Sequence, residues 1–110
     1  MPPATLHILI ALADRARHGY AILKDIAERT DDQFHLGPAT LYTSIKRMLQ
    51  AGLIDEVESD DDGGDVRRRY YRITALGRAV AVEEARRLDS VVSQARSRLS
   101  LRPRRGRGLA

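Results

Sequence analysis

The chain of 110 residues contains no cysteine and no tryptophan, and its only phenylalanine is Phe34. Without cysteine, the protein can form no disulfide, no thiolate zinc site and no cysteine nucleophile. Long apolar runs are missing too, since the apolar stretch Leu6–Leu12 has no basic flank and is far too short to cross a bilayer. These absences predict one small intracellular domain, located in the cytoplasm and without membrane contact.

Sequence patterns for catalysis and metal binding are also missing. The three histidines, His7, His18 and His35, have no metal-ligand spacing and no partner carboxylate at a suitable offset. No nucleophile–base pair or glycine-rich phosphate loop is present. We therefore expect no catalytic residue, no metal and no cofactor, and a protein that is not an enzyme.

The formal net charge is +4, but this excess is confined to the C-terminal end of the chain. Four arginines follow Leu101 without any acidic residue: Arg102, Arg104, Arg105 and Arg107. Basic and acidic residues balance in the rest of the chain, so its bulk charge is weak evidence for a nucleic-acid partner. Residues 101–110 are predicted to be a disordered basic tail, which either contacts phosphates as a mobile arm or only adds solubility.

Apolar periodicity predicts three helices in the first half of the chain, over about Thr5–Arg15, Tyr20–Arg29 and Pro38–Ala51. The first is apolar around much of its girth, and the residues that precede Tyr20 are interpreted as a turn. Tyr20 itself is expected in the core, on the apolar side of the second helix. The third helix has the clearest limits, because Gly37-Pro38 suits a helix start and Gly52 suits a helix end.

The pattern changes after Gly52. Leu53–Glu58 and Arg67–Ile73 are predicted to be the strands of a β-hairpin, with one of Tyr70 and Tyr71 in the core. Thr74 is the expected N-cap of a final helix over about Ala75–Leu99. The predicted fold is mainly α with a small β-hairpin. It is a winged helix-turn-helix over residues 1–74, followed by a C-terminal dimerisation helix over residues 75–100.

The outward face of the third helix is the candidate DNA-binding surface. Leu41 and Ile45 define its core side, and the opposite side carries small residues first and hydrogen-bonding or cationic residues later. A helix in the major groove needs close approach and then donors for base edges and phosphates. The predicted contacts on this helix are Pro38, Ala39, Thr40, Tyr42, Thr43, Lys46, Arg47 and Gln50.

The hairpin adds three consecutive arginines, Arg67, Arg68 and Arg69, at the base of its second strand. Because neighbouring strand residues face opposite sides, about two of them are expected to reach phosphates. The third is expected to pack or to pair with Glu56 or Glu58. The turn at Ser59–Asp65 carries four aspartates that phosphates would repel, so the contact is predicted at the wing base and not at its tip.

The final helix carries an apolar heptad seam flanked by charges. Its members recur at spacings of three and four residues: Ala81, Ala85, Leu88, Val92, Ala95 and Leu99. A helix of this length would form a rod of about 37 Å, more than so small a domain can cover. We therefore expect a homodimer, with Leu76, Ala79 and Val80 covering the domain core instead.

Several motifs occur together in a fixed order: His18-Gly19-Tyr20, Leu36–Tyr42, Lys46–Leu49, Gly52-Leu53-Ile54 and Arg69–Thr74. Through them the chain resembles the PadR family of bacterial regulators, between Leu6 and Leu99. The resemblance implies a winged helix, a homodimer built by the last helix, and repression of a neighbouring operon relieved by a small-molecule effector. It also implies recognition positions at Thr40, Tyr42, Thr43, Lys46 and Arg47. Gly37 departs from the family, in which a serine-type cap is common.

The sequence thus predicts a repressor that binds double-stranded, pseudo-palindromic DNA. Two alternatives remain open at this point. One is a winged-helix module that binds a partner protein, and the other is an RNA-binding domain that uses the arginine-rich tail.

Overall fold

The computed structural model describes residues 1–58 and 69–99. Over these residues the chain forms four helices and three short strands. Their bounds are α1 Pro3–Ala11, β1 Arg17–His18, α2 Gly19–Arg29, α3 Pro38–Gln50, β2 Ile54–Val57, β3 Tyr70–Ile73 and α4 Ala75–Leu99. The expectation of a mainly helical fold with a small antiparallel sheet is confirmed. The wing turn and the basic tail lie outside the described residues.

α1 begins earlier and ends earlier than predicted. Pro3 occupies its first turn, where a missing backbone N–H costs no hydrogen bond. The predicted extension to Arg15 is wrong, because the chain leaves the helix at Leu12. Two guanidinium groups bind the carbonyls there: Arg17 Nε donates to the Ala11 oxygen at 2.7 Å, and Arg78 donates to the Ala13 oxygen at 2.7 Å.

The segment before α2 is a strand, and not simply the predicted turn. β1 pairs antiparallel with β3, which places Arg17 opposite Tyr71 and His18 opposite Tyr70. β2 pairs with the other edge of β3, so the strand order is β1-β3-β2. A strand of two residues has no alternation to detect, which is why the sequence pattern missed it.

α2 begins at Gly19, and its N-terminus is capped by a histidine. The Nδ1 atom of His18 accepts a hydrogen bond from the Ala21 amide at 3.1 Å. The expectation that Tyr20 lies in the core is wrong, because this side chain is 70% exposed. Ile22 and Ile26 face the core instead.

α3 follows its predicted limits. Gly37 is the N-cap residue, and its carbonyl accepts the Leu41 amide at 2.9 Å. Pro38 is the first helical residue. Gly52, which follows the helix, has φ of +75°, a conformation that side chains other than glycine rarely adopt.

One apolar core joins all the helices to the sheet. Its fully buried members are Ile8, Leu9, Ala11, Leu12, Ile22, Ile26, Leu41, Ile45, Met48, Ile54 and Tyr71. Tyr71 is 2% exposed, which confirms that one of the two neighbouring tyrosines belongs to the core. Of residues 1–58 and 69–99, no polar or charged residue other than this tyrosine is buried to the same degree.

α4 has the predicted bounds and the predicted cap. The Thr74 Oγ1 atom accepts the Gly77 amide at 2.9 Å and donates to the Gly52 carbonyl at 2.7 Å. Gly77 is buried against Leu53 and Ile73, and Ala81 packs on the core one turn later. The expectation for Leu76 and Ala79 is therefore wrong, since both are exposed. The remaining residue of that set, Val80, is half-buried.

Candidate nucleic-acid interface

α3 separates its core side from its predicted DNA side. Leu41, Ile45 and Met48 are buried in the core. All the predicted contact residues on this helix are exposed: Pro38, Ala39, Thr40, Tyr42, Thr43, Lys46, Arg47 and Gln50. The helix therefore offers small and polar side chains to solvent along its whole length, while its other side fixes it to the fold.

The cationic end of this face is available for an anionic partner. In the part of the chain that the structure describes, neither Lys46 nor Arg47 takes part in an ion pair. Both side chains lie on the exposed side of α3, three and four residues after Thr43. Residues at these spacings are neighbours on one helix face, so the hydroxyl and the two cations form one surface.

Tyr42 links the start of α2 to this surface. Its ring lies over Gly19, where a β-carbon would collide with the Tyr42 hydroxyl and lie 3.3 Å from the ring atom Cε1. Tyr42 is nevertheless 50% exposed. A β-carbon at position 19 would therefore displace the Tyr42 ring, which packs on the start of α2 and joins α3 to it.

At the wing base, Arg69 is the described member of the three predicted arginines. Its side chain is 76% exposed, and its Nε atom lies 3.7 Å from a carboxylate oxygen of Glu56 on β2. The expected pairing of one wing arginine with Glu56 or Glu58 is thus present. Arg67 and Arg68 lie outside the described residues, so their predicted phosphate contacts stay predictions.

The buried phenol of Tyr71 lies where α3, β2 and β3 meet. Burial raises the pKa of Tyr71, the Glu56 carboxylate and Tyr42 raise it further, and Arg69 opposes the shift. The phenol therefore stays neutral well above physiological pH. Tyr42 on α3 and Arg69 at the wing base therefore both lie close enough to this phenol to act on it electrostatically.

A second surface lies on the groove between α1 and α4. It encloses about 480 Å³ and is lined by Leu6, Leu9, Ile10, Ala13, Ile73, Arg78, Ala81, Val82, Ala85, Leu88, Asp89 and Val92. Four residues of the predicted seam belong to it, and Leu88 and Val92 are 39% and 43% exposed. Ala95 and Leu99 continue the seam along α4 beyond the groove. Within one chain, Leu88, Val92 and Leu99 thus stay partly exposed, whereas Ala81 packs on the core.

The sequence pattern missed two residues of this groove, Ile10 and Val82. Both are exposed apolar side chains, and neither lies on the heptad seam. The signal for Ile10 was present, because α1 is apolar around much of its girth. In a small domain such a helix has more apolar surface than its own core can bury.

Neither a metal site nor a membrane span is found in residues 1–58 and 69–99. No group of three or more metal-ligating side chains occurs there. Among the same residues, no helix is both long enough and apolar enough to cross a bilayer.

Comparison with known proteins identifies the sequence family. The model of the transcriptional regulator PadR-like family matches residues 8–83, which is more than half of the chain. The chain is also similar to the transcriptional regulator Rv3488 of Mycobacterium tuberculosis. The two are 32% identical over 89 residues, which cover 81% of this chain and 78% of that protein.

Solved structures show the same fold. A PadR family transcription regulator from Clostridium difficile aligns with a TM-score of 0.78 and 26% identity, covering 89% of this chain and 99% of the other. Bacillus subtilis PadR, solved in complex with operator DNA, aligns with a TM-score of 0.66 and 18% identity. That alignment covers 74% of this chain and 45% of the other, and at this identity it supports the winged-helix fold alone.

Proposed function

We propose that this chain, which belongs to the PadR-like family of transcriptional regulators, is a cytoplasmic repressor that binds a pseudo-palindromic operator as a homodimer. Members of this family are transcriptional regulators and not enzymes. The observation that carries the proposal is the outward face of α3, which presents Thr43, Lys46 and Arg47 to solvent, and no residue in 1–58 or 69–99 forms an ion pair with either cation. We further propose that an unidentified small-molecule effector binds this repressor and releases it from its operator.

DNA recognition through α3 follows from the chemistry of its exposed face. Small residues in its first turn permit close approach to the floor of the major groove. Lys46 and Arg47 then supply donors for guanine edges or phosphates, and Thr43 supplies a hydroxyl. The wing arginines Arg67 and Arg68 add contacts to the backbone, and such contacts hold the protein in register without reading sequence.

Selection of bound sites from random duplex DNA tests this function. We expect a pseudo-palindrome whose half-sites lie about one helical turn, roughly 34 Å, apart. Replacing Lys46 and Arg47 by alanine should abolish the sequence preference and reduce the salt dependence of binding. The matched control removes two exposed arginines from α4, Arg86→Ala with Arg98→Ala, and should keep the preference.

Further binding assays would distinguish the alternatives. Binding without any sequence preference that is lost on deleting residues 102–110 would favour an RNA-binding role for the tail. Salt-insensitive binding to a partner protein would favour an interaction module.

The homodimer is proposed from the seam and the groove. Within one chain the groove side chains Ile10, Val82, Leu88 and Val92 are 39–44% exposed, and a second copy would bury them. At about 25 cal/mol per Å² of apolar area, covering such side chains on both copies gives a substantial driving force. A twofold dimer also accounts for a palindromic operator, because the symmetry of the protein and of its site match.

Aspartates introduced into the seam test the dimer. Leu88→Asp with Val92→Asp should give a monomer in analytical ultracentrifugation that has lost specific DNA binding. Ser90→Asp with Ser93→Asp adds the same charge on the other side of α4 and should remain dimeric. A dimer that persists in the seam variant would refute the seam.

A further inference from the structure

Tyr20 is exposed without an evident structural reason. Among the described residues it is the most exposed of the large apolar and aromatic side chains, at 70%. It does not contribute to the core, and it does not line the groove between α1 and α4. Neither folding nor the proposed dimer therefore accounts for a tyrosine at this position.

The position of Tyr20 connects it to the recognition helix. Gly19, its neighbour in the chain, lies directly under the ring of Tyr42, which belongs to α3. The Tyr42 ring and the backbone at the start of α2 therefore meet at the junction of α2 and α3. A partner that lies along α3 and touches Tyr42 therefore reaches the first residues of α2, to which Tyr20 belongs.

Tyr20 is also held in place. Its ring stacks on the ring of His18, with 6.4 Å between the centroids and 17° between the planes. His18 in turn meets Tyr70 edge-on at 5.2 Å, and its Nδ1 atom caps α2. Such packing restricts the two side-chain torsions of Tyr20, so less conformational entropy is lost when it binds a partner.

A cation accompanies the phenol on the same side of α2. Lys24 follows Tyr20 by four residues, a spacing that places both side chains on one helix face, and both are exposed. No ion pair within residues 1–58 and 69–99 involves Lys24. The nearby carboxylate of Asp25 is occupied, because it pairs with Arg29 at 2.8 Å and with Arg17 at 3.6 Å.

We propose that Tyr20 and Lys24 form a second contact with the duplex, to the sugar-phosphate backbone beside the groove that α3 enters. The proposal rests on the proposed function. The phenol donates a hydrogen bond to one phosphate oxygen, and the ammonium group neutralises a neighbouring phosphate. These are contacts to the backbone, so they fix the orientation of the protein on DNA and read no sequence.

The two residues predict different signatures in a salt titration. A lysine on a phosphate releases a counterion, and its loss from both subunits of the proposed dimer lowers the slope of log K against log salt by about 1.8. A tyrosine is neutral, so its loss lowers affinity and leaves that slope unchanged. A variant that is merely misfolded would not show these two different slopes. The salt titration therefore distinguishes lost phosphate contacts from a loss of folded protein.

The experiment measures the affinity of the wild type, Tyr20→Phe and Lys24→Met for the selected operator and for an unrelated duplex, over a range of salt concentrations. Tyr20→Phe removes only the hydroxyl and should weaken binding to both duplexes about five- to twentyfold, with an unchanged slope. Lys24→Met should weaken both and lower the slope by about two, because both subunits of the proposed dimer lose the contact. Tyr70→Phe, which removes a hydroxyl from the half-buried end of the same aromatic cluster, is the control and should bind like the wild type.

If both variants bind with the affinity and the salt slope of the wild type, the proposed backbone contact is wrong and the proposed function is unaffected. A loss confined to the operator would also overturn it, because that result indicates base readout. If the wild type itself binds no duplex, the proposed function and this contact both fail.

Discussion

Replacing Gly77 by alanine distinguishes local helix preference from tertiary packing. Glycine is the poorest helix former after proline, so Gly77→Ala should raise helix stability by up to about 1 kcal/mol on propensity alone. The tertiary structure predicts the opposite sign. Gly77 is buried, and a β-carbon there would collide with the backbone oxygen of Leu53 and lie 3.0 Å from the carbonyl carbon of that residue.

The collision cannot be relieved by rotating a side chain, because its main partner is backbone. The Leu53 carbonyl also accepts the Thr74 amide at 3.1 Å, and Ile73 Cγ1 lies 3.1 Å from the added carbon. Overpacking typically costs about 1–3 kcal/mol, and the strained hydrogen bond adds about 1 kcal/mol. After the propensity gain is subtracted, Gly77→Ala should lower the free energy of unfolding by about 1–3 kcal/mol.

Urea and thermal unfolding, followed by circular dichroism, measure this change. Protein concentration must be held constant, because dimerisation couples stability to concentration. A loss of 1 kcal/mol corresponds to a decrease in Tm of about 4 °C or more for a domain of this size. The control is Ala79→Gly, at an exposed position of the same helix, which should lose about 1 kcal/mol through propensity alone.

Gly77→Ala, which adds a methyl group, and Ala79→Gly, which removes one, should therefore both destabilise α4. If Gly77→Ala is as stable as the wild type, or more stable, the close approach of α4 to Leu53 is not present in solution. The variant should also bind the operator more weakly, because a displaced α4 changes the spacing of the two recognition helices in the proposed dimer.

Substitutions at three further positions test local features of the fold. Thr74→Val keeps the shape of the side chain but removes the hydroxyl that accepts the Gly77 amide, and should cost about 1 kcal/mol in chemical denaturation. His7 has a pKa lowered from 6.5 by burial and by Arg29, so the unfolded state binds its proton more readily. The wild type should therefore lose stability as the pH falls below 6.5, and His7→Gln should lose less in urea titrations at pH 5 and 7.5. Asp32 has φ of 60°, so Asp32→Val should lower Tm while Asp32→Gly should not, and equal effects would contradict the left-handed conformation.

The bounds of α3 and α4 could be predicted because their signals are local. Gly37 and Pro38 set the start of α3, and a glycine in a left-handed conformation follows its end. Thr74 places its hydroxyl within reach of an amide three residues later, whatever the rest of the fold does. Caps and turns of this kind depend on a few adjacent residues, so their sequence carries the information.

The exposed face of α3 was predictable for a similar reason. A helix with one apolar side must bury that side, and the opposite side then faces solvent. Leu41, Ile45 and Met48 are buried as this argument requires. The predicted contact residues on α3 follow from the same periodicity, although only a DNA complex or the binding assays above can test their roles.

Sequence by itself determined the order of the four helices and of β2 and β3, the limits of the last two helices, the polarity of α3 and the family. Only the tertiary structure decided that Arg17 and His18 form a strand, because their partners lie more than fifty residues away in β3. It also turned Tyr20 to solvent and Gly77 to the core. Periodicity shows that a helix has an apolar side, but only packing against the other elements fixes the rotation of the helix and which residues at the edge of that side are covered.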